Sequence, residues 1–123
     1  MLNIGVFVSG GGTNLQALID AQNRGEIKNG KITFVLASND NAYALKRAEK
    51  AGIPSAVVSR KAFNSKEDYD KAVLSVIEDK HIDLIVLAGF LSILGEELVS
   101  KYRNKIINIH PSLIPLFCGD GFY

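Results

Sequence analysis

The sequence of 123 residues predicts an α/β fold: a doubly wound parallel sheet with helices on both faces. Two observations carry this prediction. Short apolar runs rich in β-branched residues, such as residues 4–8 and 84–88, have the length and composition of strands buried on both faces of a parallel sheet. Amphipathic segments with helical spacing lie between them, and a regular alternation of strand and helix is built by crossover connections.

The first half of the chain predicts three strands and two helices. The first strand leads through a glycine-rich turn to a helix that begins at Thr13, because Thr13 and Gln16 match a capping box, and Gly25 is suited to end it. A second helix is predicted to end at residues 50–52, because the basic side chains near its end interact favourably with the negative end of the helix dipole. The other two strands are predicted over residues 32–37 and, at the edge of the sheet, 55–59.

The second half continues the same alternation. Ser65 and Asp68 open the helix with the clearest pattern, since apolar residues follow from Tyr69 at helical spacing. The remaining predicted elements are a strand over 84–88, a helix over 95–103 and a strand over 105–109. No repeat or linker interrupts the chain, so we expect one domain over residues 1–123.

The end of the chain is less regular. Residues 117–123 form a loop-like stretch that stops on two aromatic residues without a closing element. This ending indicates an N-terminal portion of a longer protein, truncated at its C-terminus. Cys118 lies in the same stretch; as the one cysteine it excludes an internal disulfide, and an unreactive loop cysteine is favoured over a nucleophile.

Composition limits the classes of function. With a formal net charge of +1, the chain lacks the basic excess that a general nucleic-acid or anionic-membrane binder needs to neutralise phosphates. No apolar run approaches the ~20 residues that span a bilayer, and the first residues do not resemble a signal peptide. We therefore expect a cytoplasmic protein whose partners are small molecules, with no nucleic acid and no membrane; the sequence leaves the oligomeric state open.

The glycine-rich turn, residues 9–14, is suited to hold an anion. Its glycines let the backbone approach a ligand closely, and the free N–H groups at a helix N-terminus carry partial positive charge. A dinucleotide fingerprint would need a third glycine where Leu15 stands, and a P-loop would need Gly-Lys-Ser/Thr where the chain has Gly12, Thr13 and Asn14. A phosphate without a dinucleotide is the favoured ligand; the alternative is a turn needed only for tight packing of strand and helix.

A second candidate stretch combines an amide and an imidazole at a strand end. Side chains alternate along a strand, so Asn108 and His110 point to the same face, and Pro111 holds His110 in an extended or turn conformation. Such a pair suits a reaction in which negative charge develops on a carbonyl oxygen, which the amide stabilises while the imidazole donates a proton. The alternative is a hydrogen-bonded pair that caps the strand. A metal role is disfavoured because too few ligands lie nearby.

Three segments together resemble phosphoribosylglycinamide formyltransferase, a folate-dependent family of purine biosynthesis. They are Ser-Gly-Gly-Gly-Thr-Asn-Leu-Gln-Ala from Ser9, Leu-Ala-Gly-Phe-Leu-Ser-Ile-Leu from Leu87 and Asn-Ile-His-Pro-Ser-Leu-Ile-Pro from Asn108. The resemblance implies a Rossmann-like formyltransferase fold. It also implies transfer of a formyl group from 10-formyltetrahydrofolate, as co-substrate and without a metal, to the amine of 5'-phosphoribosylglycinamide.

The resemblance assigns a role to each candidate residue. It implies that Asn108 contacts the formyl group and the folate and that His110 is the proton donor. The implied phosphate-binding residues are Gly12, Thr13 and Asn14, and the implied folate-binding residues are Lys66, Leu91, Ser92, Ile93 and Leu94.

The sequence departs from the family's pattern in two places. Ser92 stands where the family often has arginine. The resemblance implies that this position contacts the folate through its backbone, so the change of side chain matters little. The family also uses an aspartate in its C-terminal part to orient the histidine, and the 123 residues do not include that segment, so we expect the chain alone to be inactive or nearly so. Two other functions stay open, a formyltetrahydrofolate hydrolase and a non-catalytic phosphate- or nucleotide-binding module. The glycine-rich turn disfavours the hydrolase, which has no phosphorylated acceptor to hold.

Overall fold

The computed structural model describes residues 1–40, 43–90 and 94–109 of the chain. Strands and helices alternate through these ranges, as the sequence predicts. In chain order the elements are β1 (Leu2–Val8), α1 (Thr13–Asn23), β2 (Gly30–Ala37), α2 (Ala44–Lys50), β3 (Ser55–Val57), a 3₁₀ turn (Arg60–Ala62), α3 (Lys66–Asp79), β4 (Leu84–Ala88), α4 (Glu96–Lys101) and β5 (Ile106–Ile109).

The five described strands form one parallel sheet in the order β3-β2-β1-β4-β5. The predicted doubly wound α/β fold is confirmed. From β1 the chain proceeds to β2 and β3 on one side, and then returns to add β4 and β5 on the other. The reversal falls between β1 and β4, and in open α/β sheets the crevice outside the carboxyl ends of such strands is the usual place for a ligand.

The first helical layer, here called the α1–α2 face, packs against one side of the sheet. Because side chains alternate along a strand, β1 contributes Ile4, Val6 and Val8 to this side. The helices contribute buried apolar side chains, namely Leu15 and Ile19 from α1 and Ala44 and Ala48 from α2. The small alanines let α2 lie close to the end of β1 and to the turn that follows it.

The second layer, the α3–α4 face, covers the opposite side. Phe7 of β1 points into it, together with Phe34 and Leu36 of β2 and Ile85 of β4. The helical contribution comes mainly from α3, with one residue of α4; it consists of Tyr69, Val73, Leu74, Ile77 and Leu98. The predicted apolar stripe of α3 is therefore core, as its spacing indicates.

The two predicted helix starts have different outcomes. At α3 the hydroxyl of Ser65 accepts a hydrogen bond of 3.1 Å from the N–H of Asp68, so the predicted cap is confirmed. At α1 the predicted capping box of Thr13 and Gln16 is wrong. The N-cap is Gly12, in the left-handed region with φ 81°, and no side chain caps the helix, because Gln16 hydrogen-bonds Asp20 and Arg47 instead.

The described helices are short. The longest is α3, with 14 residues. Within residues 1–40, 43–90 and 94–109, no helix has both the length and the apolar character needed to cross a membrane.

Candidate functional site

Three strands end side by side at one edge of the sheet. Phe7 of β1 pairs in register with Leu87 of β4, and Leu87 pairs with Asn108 of β5, so the three residues form one row across the sheet. The glycine-rich turn begins two residues beyond Phe7, and Gly89 lies two residues beyond Leu87. The structure thus places the turn and Asn108 at the same carboxyl edge, beside the crevice between β1 and β4.

The glycine-rich turn lies against α2. The carbonyl of Gly10 accepts a hydrogen bond of 3.3 Å from the N–H of Ala44, and the carbonyl of Gly11 accepts one of 2.8 Å from Nε of Arg47. A Cβ added to Gly12 would lie 2.6 Å from the Cβ of Ala44, and its φ of 81° disfavours any side chain. Glycine at position 12 is therefore required both by its conformation and by the approach of α2.

The three predicted phosphate-binding residues occupy the start of α1. Gly12 is half-buried, Thr13 is exposed, and Asn14 is buried with 7% of its surface accessible. The carbonyl of Gly12 accepts the first backbone hydrogen bond of the helix, 2.8 Å from the N–H of Gln16. The N–H groups that precede this bond have no partner within the helix, and the helix dipole gives them partial positive charge.

Polar residues after β2 hold the beginning of the turn. The hydroxyl of Ser38 donates to that of Ser9 over 2.7 Å, and the amide of Asn39 donates to the carbonyl of Ser9 over 2.7 Å. These bonds join the carboxyl ends of β1 and β2. Ser38 and Asn39 were not among the predicted site residues, although their position directly after a buried strand is a sequence signal for such a role.

Asn108 belongs to the α3–α4 face. Its neighbour Ile109 packs against the α1–α2 cluster and Ile106 against the α3–α4 cluster, so alternation places Asn108 on the side of Ile106. Asn108 is half-buried. His110, the predicted proton donor, lies outside the described residues, as do Pro111 and Cys118.

The predicted folate-binding residues are only partly described. Leu91, Ser92 and Ile93 lie outside the described ranges. Lys66 and Leu94, which are 28 positions apart in the sequence, line the same groove of about 440 Å³ between the first turn of α3 and the start of α4. The other lining residues are Glu67, Asp70, Lys71, Gly95, Glu96 and Glu97. The groove is formed by helices of the layer toward which Asn108 points.

Asp70 is a residue of this groove that the sequence analysis missed. Only 5% of its surface is accessible, and its carboxylate accepts hydrogen bonds from the N–H groups of Gly95, at 2.8 Å, and Leu98, at 3.2 Å. It thereby fixes the beginning of α4, directly after Leu94. The signal was present, because Asp70 lies three and four positions before Val73 and Leu74, on the buried stripe of α3.

Among the residues that the structure describes, no group of three or more His, Cys, Asp or Glu side chains is arranged to hold a metal ion. The polar groups placed at the carboxyl edge are instead backbone N–H groups, hydroxyls and amides, with the guanidinium of Arg47 beside them. These groups can bind an anion and stabilise negative charge that develops on an oxygen.

Comparisons with known proteins agree with this arrangement. A family model described as formyl transferase matches residues 2–122. The chain is 43% identical over 123 residues to phosphoribosylglycinamide formyltransferase of Haemophilus influenzae, covering 100% of the chain and 58% of that protein. It is 42% identical over 118 residues to the enzyme of the same name from Escherichia coli, covering 96% of the chain and 55% of that protein.

The likeness extends to solved structures. The crystal structure of glycinamide ribonucleotide transformylase 1 from Symbiobacterium toebii matches with a TM-score of 0.85 and 37% sequence identity. The match covers 97% of this chain and 56% of that one. The chain thus spans somewhat more than half the length of the relatives it matches.

Proposed function

Because the chain belongs to the formyl transferase family, we propose that it is part of an enzyme of purine biosynthesis. The proposed reaction transfers a formyl group from 10-formyltetrahydrofolate to the amine of 5'-phosphoribosylglycinamide. The observation that carries the proposal is the shared carboxyl edge, where the glycine-rich turn after β1 and Asn108 of β5 lie on either side of β4.

The phosphate of the acceptor substrate binds at the start of α1. Gly12, Thr13 and Asn14 provide the contacts, through backbone N–H groups that lack partners inside the helix and through the Thr13 and Asn14 side chains. No side chain caps α1, which leaves this end of the helix open to a ligand. A phosphorylated acceptor distinguishes transfer from hydrolysis, because a hydrolase delivers the formyl group to water.

The formyl donor binds along the α3–α4 face. Lys66 and Leu94 line one groove there, and Leu91, Ser92 and Ile93 complete the proposed set. The cationic Lys66 suits the carboxylates of a folate, and Leu94 suits its apolar rings. Asn108 lies on the same side of the sheet, so the donor's formyl group reaches the strand end from this face.

The chemistry requires little beyond positioning and one proton. The substrate amine attacks the formyl carbon, the carbonyl electron pair moves to oxygen, and a tetrahedral oxyanion forms. The amide of Asn108 donates a hydrogen bond to that oxygen, and His110 stabilises it and supplies the proton with which tetrahydrofolate leaves. The carbonyl then re-forms as the bond between the formyl carbon and the folate nitrogen breaks. The former amine nitrogen, which carries an extra proton after the attack, gives one proton back to His110, so the transfer consumes no net proton.

Two narrower statements complete the proposal. The enzyme acts in the cytoplasm on small molecules. The 123 residues alone transfer the formyl group slowly or not at all, because the aspartate with which the resembling family orients its histidine is not among them. Binding is therefore a more direct test than turnover.

Titration calorimetry with three ligands tests the proposal: 5'-phosphoribosylglycinamide, its dephosphorylated form and tetrahydrofolate. We expect the phosphorylated ligand to bind at least about tenfold more tightly than the dephosphorylated one, since charge-assisted hydrogen bonds to the phosphate are lost without it. Tetrahydrofolate should also bind. Equal affinity for the first two ligands would contradict the phosphate site and favour the hydrolase, whereas phosphate preference without folate binding would favour a phosphate-binding module.

A further inference from the structure

The glycine-rich turn does not hold its conformation alone, because α2 binds two of its consecutive carbonyl groups. The N–H of Ala44 donates to the carbonyl of Gly10 over 3.3 Å, and Nε of Arg47 donates to the carbonyl of Gly11 over 2.8 Å. Both carbonyls are therefore turned toward α2. The third glycine carbonyl, of Gly12, is committed to the first hydrogen bond of α1.

The direction of these carbonyls determines the direction of the next N–H groups. In a planar trans peptide the C=O and the N–H of the following residue point in opposite directions, and the described residues contain no cis peptide bond. The N–H groups of Gly11 and Gly12 therefore point away from α2. In the part of the chain that the structure describes, no hydrogen bond is donated by either of them, so both are available to a ligand beside the start of α1.

Arg47 connects the turn to two helices. Besides its bond to Gly11, its Nη1 donates to Oε1 of Gln16 on α1 over 3.2 Å, and its guanidinium lies 5.0 Å from the ring centre of Tyr43. The side chain is half-buried. Two nitrogens of one rigid planar group thus hold a turn carbonyl and an α1 side chain at a fixed separation, which a lysine ammonium cannot reproduce.

We propose that Arg47 is the positioning residue of the phosphate site: by holding the Gly11 carbonyl it directs the Gly12 N–H at the substrate phosphate. This inference rests on the proposed function, since it concerns the same phosphate. Arg47 acts through the backbone of the turn, because its Nε holds the Gly11 carbonyl and its Nη1 is anchored to Gln16 of α1. The residue adds affinity for the phosphate and none for the folate.

Two substitutions of Arg47 and one control test the inference. Arg47→Ala removes the guanidinium, and Arg47→Lys keeps the charge and loses the planar fork. Lys46→Ala removes the adjacent exposed cation of α2, which lies 5.9 Å from the ring centre of the same Tyr43. Calorimetry measures the affinity of each variant for 5'-phosphoribosylglycinamide, its dephosphorylated form and tetrahydrofolate. A thermal melt of each protein establishes that it is folded.

The expected result is selective. Both Arg47 variants should bind the phosphorylated ligand about tenfold more weakly, the factor that corresponds to a weakened hydrogen bond to a charged group. Their affinities for the other two ligands, and every affinity of Lys46→Ala, should match the wild type within about twofold, the spread expected for a surface change distant from the ligand. In ¹⁵N–¹H spectra of the wild type, the phosphorylated ligand should shift the Gly11 and Gly12 amides, and in Arg47→Lys those shifts should be much smaller.

Three results would overturn the inference. If Arg47→Ala bound the phosphorylated ligand as tightly as the wild type, Arg47 would have no role in the phosphate site. If Arg47→Lys bound it as tightly as the wild type, the positive charge of Arg47 would matter and its planar hydrogen-bonding geometry would not. An equal loss for tetrahydrofolate would indicate a general disturbance of the fold. Failure of the proposed function looks different, because the wild-type protein itself would then bind phosphorylated and dephosphorylated ligands equally.

Discussion

The carboxylate of Asp70 accepts a hydrogen bond of 2.8 Å from the backbone N–H of Gly95, and this contact joins α3 to the start of α4. The close approach of the Asp70 carboxylate requires glycine at position 95. A Cβ added to Gly95 would lie 2.5 Å from Cγ of Asp70, which no side chain tolerates without a shift. The contact lies beside Leu94 and thereby supports one wall of the proposed folate groove.

Removal of the Asp70 carboxylate should destabilise the fold. Asp70→Ala leaves the N–H groups of Gly95 and Leu98 without their partner, so we expect a loss of about 2 kcal/mol in the free energy of unfolding. Urea denaturation measures it. Asp79→Ala is the matched control, since Asp79 is an exposed carboxylate at the other end of α3, where its removal should cost nothing. Equal unfolding midpoints for the two variants would contradict the capping role of Asp70.

A methyl group at position 95 should be costly for a steric reason. Gly95→Ala places a carbon against the Asp70 carboxylate, and overpacking of this kind costs about 1–3 kcal/mol. Gly10→Ala is the control for the loss of a glycine, because a Cβ there meets nothing within 4 Å. Denaturation of both variants in urea measures the difference. If Gly95→Ala unfolded at the wild-type midpoint, the close approach of Asp70 and Gly95 would be refuted.

The charge of Lys66 should contribute to folate affinity. Lys66 is exposed at the start of α3, and an exposed ion pair contributes little, so Lys66→Ala should weaken tetrahydrofolate binding only about threefold. The loss should shrink as salt is added, because exposed charges are screened. Lys28→Ala, which removes an exposed cation just before β2 at the opposite edge of the sheet, should leave the affinity unchanged. Calorimetry that finds the same small effect for both variants would argue against Lys66 as a folate contact.

Tyr102 should make stability depend on alkaline pH. Burial raises the pKa of Tyr102 above its ordinary value of 10.0, and the nearby carboxylates of Glu78 and Asp83 raise it further. Between pH 10 and this higher pKa the unfolded chain loses the phenol proton while the folded chain keeps it. The contribution of Tyr102 to the free energy of unfolding is therefore intact below pH 10 and declines as the pH rises above 10.

The variant Tyr102→Phe isolates this effect. At neutral pH it loses the 2.7 Å hydrogen bond from the Tyr102 hydroxyl to the carbonyl of Ile82, at a cost of about 1 kcal/mol. Above pH 10 the stability gap between wild type and variant should narrow, because only the wild type carries the Tyr102 phenol, while the other three tyrosines are common to both proteins. Urea denaturation at pH 7 and at pH 10.5 measures the gap, and a gap that widened with pH would contradict the direction of the shift.

The sequence was most informative where a local pattern determines the structure. β4 has the predicted bounds, residues 84–88, because a run of five apolar residues with β-branched side chains, ended by a glycine, has the length and composition typical of a buried strand. The Ser65 cap is confirmed for the same reason, since its partner lies three residues away. The common edge of the glycine-rich turn and Asn108 followed from parallel strand pairing.

Contacts between distant segments could not be predicted in this way. Asp70 reaches Gly95 across 25 positions and Arg47 reaches Gly11 across 36 positions, so no local spacing reveals either pair. The second of these contacts bears on the failure of the predicted capping box at Thr13. Packing of α2 against the turn makes Gly12 the cap and engages Gln16 with Arg47 instead.

We propose above all that a phosphorylated acceptor and a folate meet at the carboxyl edge of β1, β4 and β5. The most direct test is an NMR experiment on the chain with 5'-phosphoribosylglycinamide and tetrahydrofolate present together. We predict that both bind at once, with nuclear Overhauser contacts between the glycinamide protons of one ligand and the pteridine protons of the other. Mutually exclusive binding, or binding of both without any contact between them, would contradict the account.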